Sequence, residues 1–153
     1  QVEKLSGVIS LAKGNPYQGK QLYNQMCGKC HTLFGQGGQI GPDLTTYKRD
    51  DLRGMLLNVV NPSAEIREGF ENFVARTNDG RTLTGLIADQ DLTVVVIRGA
   101  DGQNISIPRE EIEDLRASGL SLMPDNQLRD LPDQQIRDLF AYLRSTQPLA
   151  DRN

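Results

Sequence analysis

Both cysteines and the only histidine of the chain stand together, in Cys27-Gly28-Lys29-Cys30-His31. Two thiols separated by two residues on a helical turn can reach the two vinyl groups along one porphyrin edge. An imidazole directly after the second thiol then lies under the ring. The spacing predicts one covalently attached haem c, with its iron bound by His31 through Nε2. Two other chemistries use similar residues. A thioredoxin-like dithiol follows a strand in a βαβ unit, whereas the residues before Cys27 read as helix. A structural zinc site needs four ligands. Cys27, Cys30 and His31 give three, and the chain holds no other cysteine or histidine to complete the set.

With His31 used on one side of the iron, methionine sulfur is the natural ligand for the other. The chain offers Met26, Met55 and Met123. Met26 immediately precedes Cys27 on the segment pinned at the ring edge, so it is not expected to reach the opposite face. Met55 falls on the apolar stripe of a helix and reads as a core residue. Met123 lies in Ser121-Leu122-Met123-Pro124, an irregular segment stiffened by proline. The expected metal ligands are therefore His31 and Met123. The competing reading makes Met123 a buried loop residue beside a five-coordinate haem open to small ligands.

The elements that must position these residues follow from periodicity and turn signals. Residues 1–14 read as a short amphipathic lead, a linker or extension. Asn15-Pro16 starts a helix over Tyr17 to Met26 that delivers the cysteine motif. Gly35, Gly37, Gly38 and Gly41 form a loop able to press against a flat cofactor. Leu52, Met55, Leu56, Val59 and Val60 mark a second helix over 50–60, and Asn61-Pro62 both ends it and is placed to start another short one. The period then changes. Strands are expected at 73–77, 81–88, 92–98 and 104–107, joined by turns that include Asn78-Asp79-Gly80 and Gly99-Ala100-Asp101-Gly102. A short helical turn is expected around Glu110 to Leu115. The last helix runs from about Pro132 to Ser145 on the stripe Ile136, Leu139, Phe140, Leu143. His31 and Met123 are far apart for a minimal haem domain. Setting aside 71–112 leaves a length that one loop, one or two helices and a ligand loop would fill. The expected architecture is thus mainly α: a helical domain over 15–150, interrupted by a four-stranded antiparallel β insertion at 71–112.

Composition excludes several classes. The 153 residues are 37% hydrophobic and 24% charged, with a formal net charge of −3. There is no apolar run long enough to span a bilayer and no basic stripe with interleaved aromatics to bind nucleic acid. Paired catalytic carboxylates, a nucleotide-binding glycine loop after a strand and a serine-nucleophile motif are also missing. Gln1-Val2-Glu3-Lys4 leads into a modest apolar stretch broken by Ser6, Gly7 and Ser10, which does not read as a signal peptide. The chain is therefore expected to begin after a removed leader or an upstream domain.

In order along the chain, Gly19-Lys20-Gln21-Leu22-Tyr23, the Cys27–His31 motif, Gly41-Pro42-Asp43-Leu44, Asn61-Pro62-Ser63, Asp79-Gly80-Arg81 with Thr84-Gly85, Ser121-Leu122-Met123-Pro124 and Asp138-Leu139-Phe140-Ala141-Tyr142-Leu143 resemble a class I cytochrome c. More narrowly they resemble the haem-binding domain of the Pirellula/Verrucomicrobium type. The resemblance covers about 17–145. It implies that Gly19 and Tyr23 meet Tyr142 and Leu139 at a close helix crossing. It implies that the Pro42 carbonyl accepts the Nδ1 hydrogen of His31, and that Ile40 and Leu44 line the haem pocket. Tyr47, Arg49 or Arg53 would touch a haem propionate, with solvated surface as the competing reading for each. Members of the narrower family often form the last domain of larger proteins, some with dehydrogenase-like propellers, so 1–14 resembles the end of a linker. The simple class I pattern has no four-stranded insertion.

The expected function is one-electron transfer, as a carrier or electron-accepting module rather than an enzyme. Its partner would be a redox protein such as a dehydrogenase, and its place the periplasm or another space outside the cytoplasmic membrane, where bacteria attach haem covalently. The alternatives are a haem-based sensor or ligand-binding enzyme with a labile Met123, and a docking module. In the latter the β insertion would hold a partner dehydrogenase or a second copy of the chain in a dimer.

Overall fold

Asn15 opens the helix that carries the cysteine motif. Its Oδ1 accepts hydrogen bonds from the backbone N–H groups of Tyr17 (3.0 Å) and Gln18 (3.4 Å), and Pro16 fills the first helical position. In this computed structural model, which describes residues 1–150, α1 spans Val2–Leu11, α2 Pro16–Met26, α3 Leu52–Val60 and α4 Asp133–Leu143. Helix α1 lies within 1–14, the segment read from sequence as a linker or extension. It sends Leu5 into the same apolar core as Tyr23, Leu56, Leu139 and Phe140, and its Val8 carbonyl accepts from Arg137 Nη1 at 3.1 Å.

The crossing of α2 with α4 is tight because Gly19 has no side chain. A Cβ there would collide with the carbonyl oxygen of Asp138 and sit 3.0 Å from Cβ of Tyr142. One turn further on, the rings of Tyr23 and Tyr142 meet edge to face, with centroids 5.3 Å apart. The buried Asp138 carboxylate accepts from the backbone N–H of Asn15 at 2.7 Å and from Gln134 Nε2 at 2.8 Å, tying the start of α2 to α4. Helix α3 is capped by Asp51, whose Oδ1 accepts from Gly54 N–H at 2.9 Å. No second helix follows at Asn61-Pro62. The chain makes one turn there, closed by Ala64 N–H to the Asn61 carbonyl at 3.0 Å, and then runs irregularly to residue 72.

A two-residue hairpin, β1 (Thr32–Leu33) and β2 (Gln36–Gly37), follows the cysteine motif. Its turn residues Phe34 and Gly35 both have positive φ, 52° and 79°, as a primed hairpin turn demands. The larger sheet comprises β3 (Phe73–Thr77), β4 (Thr82–Gln90), β5 (Val94–Arg98), β6 (Asn104–Pro108) and β7 (Ile112–Ala117), all antiparallel, in the order β6-β5-β4-β3-β7. It has five strands where four were expected. The helical turn expected at Glu110 to Leu115 is a 3-10 turn over Arg109–Glu111 only, and the chain then extends to pair β7 with β3, Ala75 opposite Leu115. The sheet buries Ala75, Val95, Ile97 and Ile107 in an apolar cluster of its own, separate from the helical core. Helices and an antiparallel sheet thus share the chain. The fold is mixed α/β, consistent with the helical domain bearing an inserted antiparallel β module that was expected, although the sheet makes it less purely helical than "mainly α" implies.

Candidate cofactor site

The Cys27–His31 segment is a tight continuation of α2. Cys27 N–H donates to the Tyr23 carbonyl at 2.8 Å, and the N–H groups of Cys30 and His31 both donate to the Cys27 carbonyl, at 3.0 and 2.9 Å. The glycine loop grips this turn from outside. A Cβ on Gly37 or Gly38 would collide with the backbone oxygens of His31 and Lys29, respectively. Gly38 N–H bonds the Gly28 carbonyl at 2.9 Å, while Ile40 and Gly41 N–H reach the Cys30 carbonyl at 3.0 and 2.7 Å. Those two glycines are required by the motif's own backbone. Gly41 differs. A Cβ there would lie 2.5 Å from Cε1 of the His31 ring.

His31 is oriented by its neighbours. Its Nδ1 lies 2.8 Å from the Pro42 carbonyl oxygen. A carbonyl only accepts, so the hydrogen sits on Nδ1 and the lone pair is left on Nε2. Burial lowers the imidazole below its ordinary pKa, more than the Pro42 hydrogen bond raises it, which favours the neutral ring that a metal needs. Burial, with Cys30 adding to it, pushes the Cys27 thiol up to about 11. Cys27 is then a thiol at neutral pH rather than a reactive thiolate.

Cys27, Cys30, His31, Ile40, Pro42, Leu44 and Met123 all border one cavity of about 380 Å³, within the range of sites that take small organic ligands. These seven residues, expected from sequence to bind the cofactor, therefore lie on the same space. Met26 and Met55 border it too, and Met55 also packs against the helical core. The Met123 loop is held by two hydroxyls: Ser63 Oγ accepts from Ser121 N–H at 2.9 Å, and Ser121 Oγ from Met123 N–H at 3.1 Å.

Three residues were candidates for a propionate. Tyr47 and Arg49 border the cavity. Arg53 does not; it pairs with Glu3 of α1 on the surface. Arg49 is fixed through Nη1 to the Leu143 carbonyl at 3.0 Å, with its guanidinium 5.4 Å from the centroid of the Phe34 ring. Its Nη2 is buried and has no hydrogen-bond partner among the described residues. A buried guanidinium nitrogen left unpaired is costly, and an anionic oxygen is the partner it suits.

Other residues on the cavity were not foreseen. The irregular stretch after α3 contributes Ile66, Arg67 and Phe70, β4 contributes Leu86, and the β5–β6 turn contributes Ala100. No sequence pattern marks them, because they reach the cavity only through the path of the loop and the placement of the sheet.

Among the described residues, no three His, Cys, Asp or Glu side chains converge as a metal-binding cluster. Two adjacent thiols, an oriented neutral imidazole, a thioether sulfur on the same cavity and an unpaired buried cation fit the demands of haem c. Haem c takes two thioether bonds, axial nitrogen and sulfur, and partners for its carboxylates. No match to the chain is found among curated proteins. The cytochrome c family model matches residues 17–147, which is most of the chain, and the protein belongs to the cytochrome c family, with the general redox role in electron transfer that this family carries.

Proposed function

We propose that the cavity holds a single haem c, joined to Cys27 and Cys30 and ligated by His31 and Met123, and that the protein is a one-electron carrier or the electron-accepting module of a larger redox system outside the cytoplasmic membrane. In this reading the chain is a class I cytochrome c of the Pirellula/Verrucomicrobium type with a β insertion, and its partner is a redox protein such as a dehydrogenase. The observation that carries it is the shared cavity: His31, with its Nδ1 tied to the Pro42 carbonyl, borders the same space as both cysteines and Met123.

When bound, haem supplies a ferric/ferrous couple whose potential a thioether ligand raises relative to a second imidazole. The chain supplies the rest. Pro42 fixes the ring of His31 and strengthens it as a donor. Ser63 and Ser121 hold the backbone of the Met123 loop. Arg49 offers Nη2 to a carboxylate. Ile40, Leu44 and Val59 give the cavity apolar walls, and a drier site would favour the less charged ferrous state.

The test is the spectrum of protein matured with covalent haem. The expected result is low-spin ferric and ferrous states, with the weak near-infrared sulfur-to-iron band in the ferric form. If that band were absent and the ferrous protein bound carbon monoxide rapidly, the carrier reading would give way to a ligand-binding one.

A further inference from the structure

The sheet and the helices have separate apolar cores, yet Leu86 of β4 and Ala100 of the β5–β6 turn border the cofactor cavity. Something must hold the sheet in that place. Among the described residues, one hydrogen bond joins the sheet, 73–117, to the rest of the chain: Arg98 Nη1 donates to the Gln39 carbonyl at 3.2 Å. Gln39 directly precedes Ile40 and Gly41, whose N–H groups bind the Cys30 carbonyl, so the acceptor belongs to the loop that grips the cysteine motif. Arg98 is itself prepared for the contact. Its Nε donates to Asn104 Oδ1 at 2.9 Å across the β5–β6 pair, fixing the guanidinium. Gly85 of β4 lies against the Arg98 carbonyl, where a Cβ would collide. At the turn after Arg98, a Cβ on Gly102 would stand 3.8 Å from Cδ1 of Ile40, which is contact distance. A shallow groove bounded by Lys29, Gln39 and Ile40 on one side and Ala100 and Asn104 on the other runs along this seam.

We propose that Arg98 is a positioning residue that holds the β sheet against the haem-attachment loop, so that Leu86 and Ala100 wall the cysteine side of the cofactor pocket from solvent. This rests on the haem reading above. It gives the insertion a role within the redox site itself. By this proposal the chain's own sheet forms part of the wall beside the attachment loop, where Ala100 shares a groove with Lys29, Gln39 and Ile40.

The experiment compares the ferrous holoprotein of wild type, Arg98→Ala, Arg98→Lys and Leu86→Ala. Each is oxidised by ferricyanide and, separately, by a cationic cobalt(III) tris-phenanthroline complex. Each reagent takes one electron from the protein, giving ferrocyanide or cobalt(II), and no proton moves. Loss of a charge-assisted hydrogen bond in an exposed position is expected to raise both rates, on the order of threefold to tenfold. The midpoint potential should fall as water reaches the pocket. Arg98→Lys, which keeps a cationic donor, should lie nearer to wild type, and Leu86→Ala should also raise both rates. Opposite shifts with the two oxidants would show that only surface charge had changed and would overturn the proposal. So would unchanged rates and potentials in both Arg98→Ala and Leu86→Ala. If Arg98→Ala does not fold, the Leu86→Ala rates decide alone. A wild type that holds no covalent haem overturns the functional reading and this proposal together. Normal His/Met spectra with unmoved rates overturn this proposal only.

Discussion

The phenolic hydroxyl of Tyr23 donates to the backbone carbonyl of His31 at 3.0 Å. One side chain of α2 thus joins the helix crossing, through its ring against Tyr142, to the backbone of the residue read as the iron ligand. Tyr23→Phe keeps the ring and removes the bond. Unfolding by denaturant should show a loss of about 1 kcal/mol. Burial, followed by the effect of Cys27, raises the Tyr23 pKa well above its ordinary value. A raised folded-state pKa means that this contribution is intact below the ordinary tyrosine range and is lost as pH rises above it. Tyr23→Phe should therefore flatten part of the alkaline decline in wild-type stability.

Gly19→Ala should be more damaging than its size suggests. The new methyl meets the Asp138 carbonyl, which belongs to a helix backbone and cannot swing away. Overpacking of this kind costs about 1–3 kcal/mol. A clearly lower thermal midpoint, with helical content little changed, is the expected calorimetric and circular-dichroism result.

Met123 and Met55 both border the cavity, so the ligand assignment turns on their separate replacement. Met123→Ala should abolish the ferric near-infrared band. Met55→Ala should keep the band while lowering stability by about 2 kcal/mol, as expected for truncating a partly buried core methionine. Survival of the band in Met123→Ala would make Met55 the ligand.

Gly41→Ala should act on His31 directly. Its methyl would stand 2.5 Å from Cε1 of the ring and force the imidazole off the Pro42 carbonyl. The ferric protein should gain a high-spin component in its visible spectrum, while the glycine loop stays folded.

The sheet should weaken in acid through Asp91. Hydrogen bonds from the N–H groups of Thr93 and Val94, and from the Thr93 hydroxyl, hold this carboxyl below its ordinary pKa. A depressed folded-state pKa contributes stability that is present above the ordinary carboxylate range and is lost as pH falls below that range and through the depressed folded-state pKa. Asp91→Asn should reduce the acid sensitivity of β4–β5 amide exchange in that window, and should already speed that exchange near neutrality, where the wild-type carboxylate makes its full contribution.

How much of this was legible in the sequence follows from how local each signal is. The Cys27–His31 motif and the stripe of α4 are local, and both stand where the spacing puts them. Strand β7 is not. Glu113, Asp114 and Arg116 give it the look of a polar turn, and only pairing with β3, more than thirty residues earlier, makes it a strand. Helix α1 looked like a broken lead because Ser6, Gly7 and Ser10 interrupt its apolar face. Packing of Leu5 into the helical core outweighs that. The unpaired nitrogen of Arg49 depends on Leu143 and Phe34, one of them remote in the chain, so its environment could not be read from neighbouring residues. The seam between Arg98 and Gln39 is of the same kind.

Phe73 and Ala117 stand opposite each other in the β3–β7 ladder, and just outside it Ser118 N–H donates to the Asn72 carbonyl at 2.8 Å. The sheet therefore begins and ends at one point on the helical body. A unit tethered in that way can lose its structure without drawing its neighbours apart, because neither of its ends has to travel. The sheet and the helices, with their separate apolar cores, are accordingly expected to open as two cooperative units on one chain. Native-state amide exchange should resolve them as two distinct opening free energies, one shared by β3 to β7 and one shared by α1 to α4.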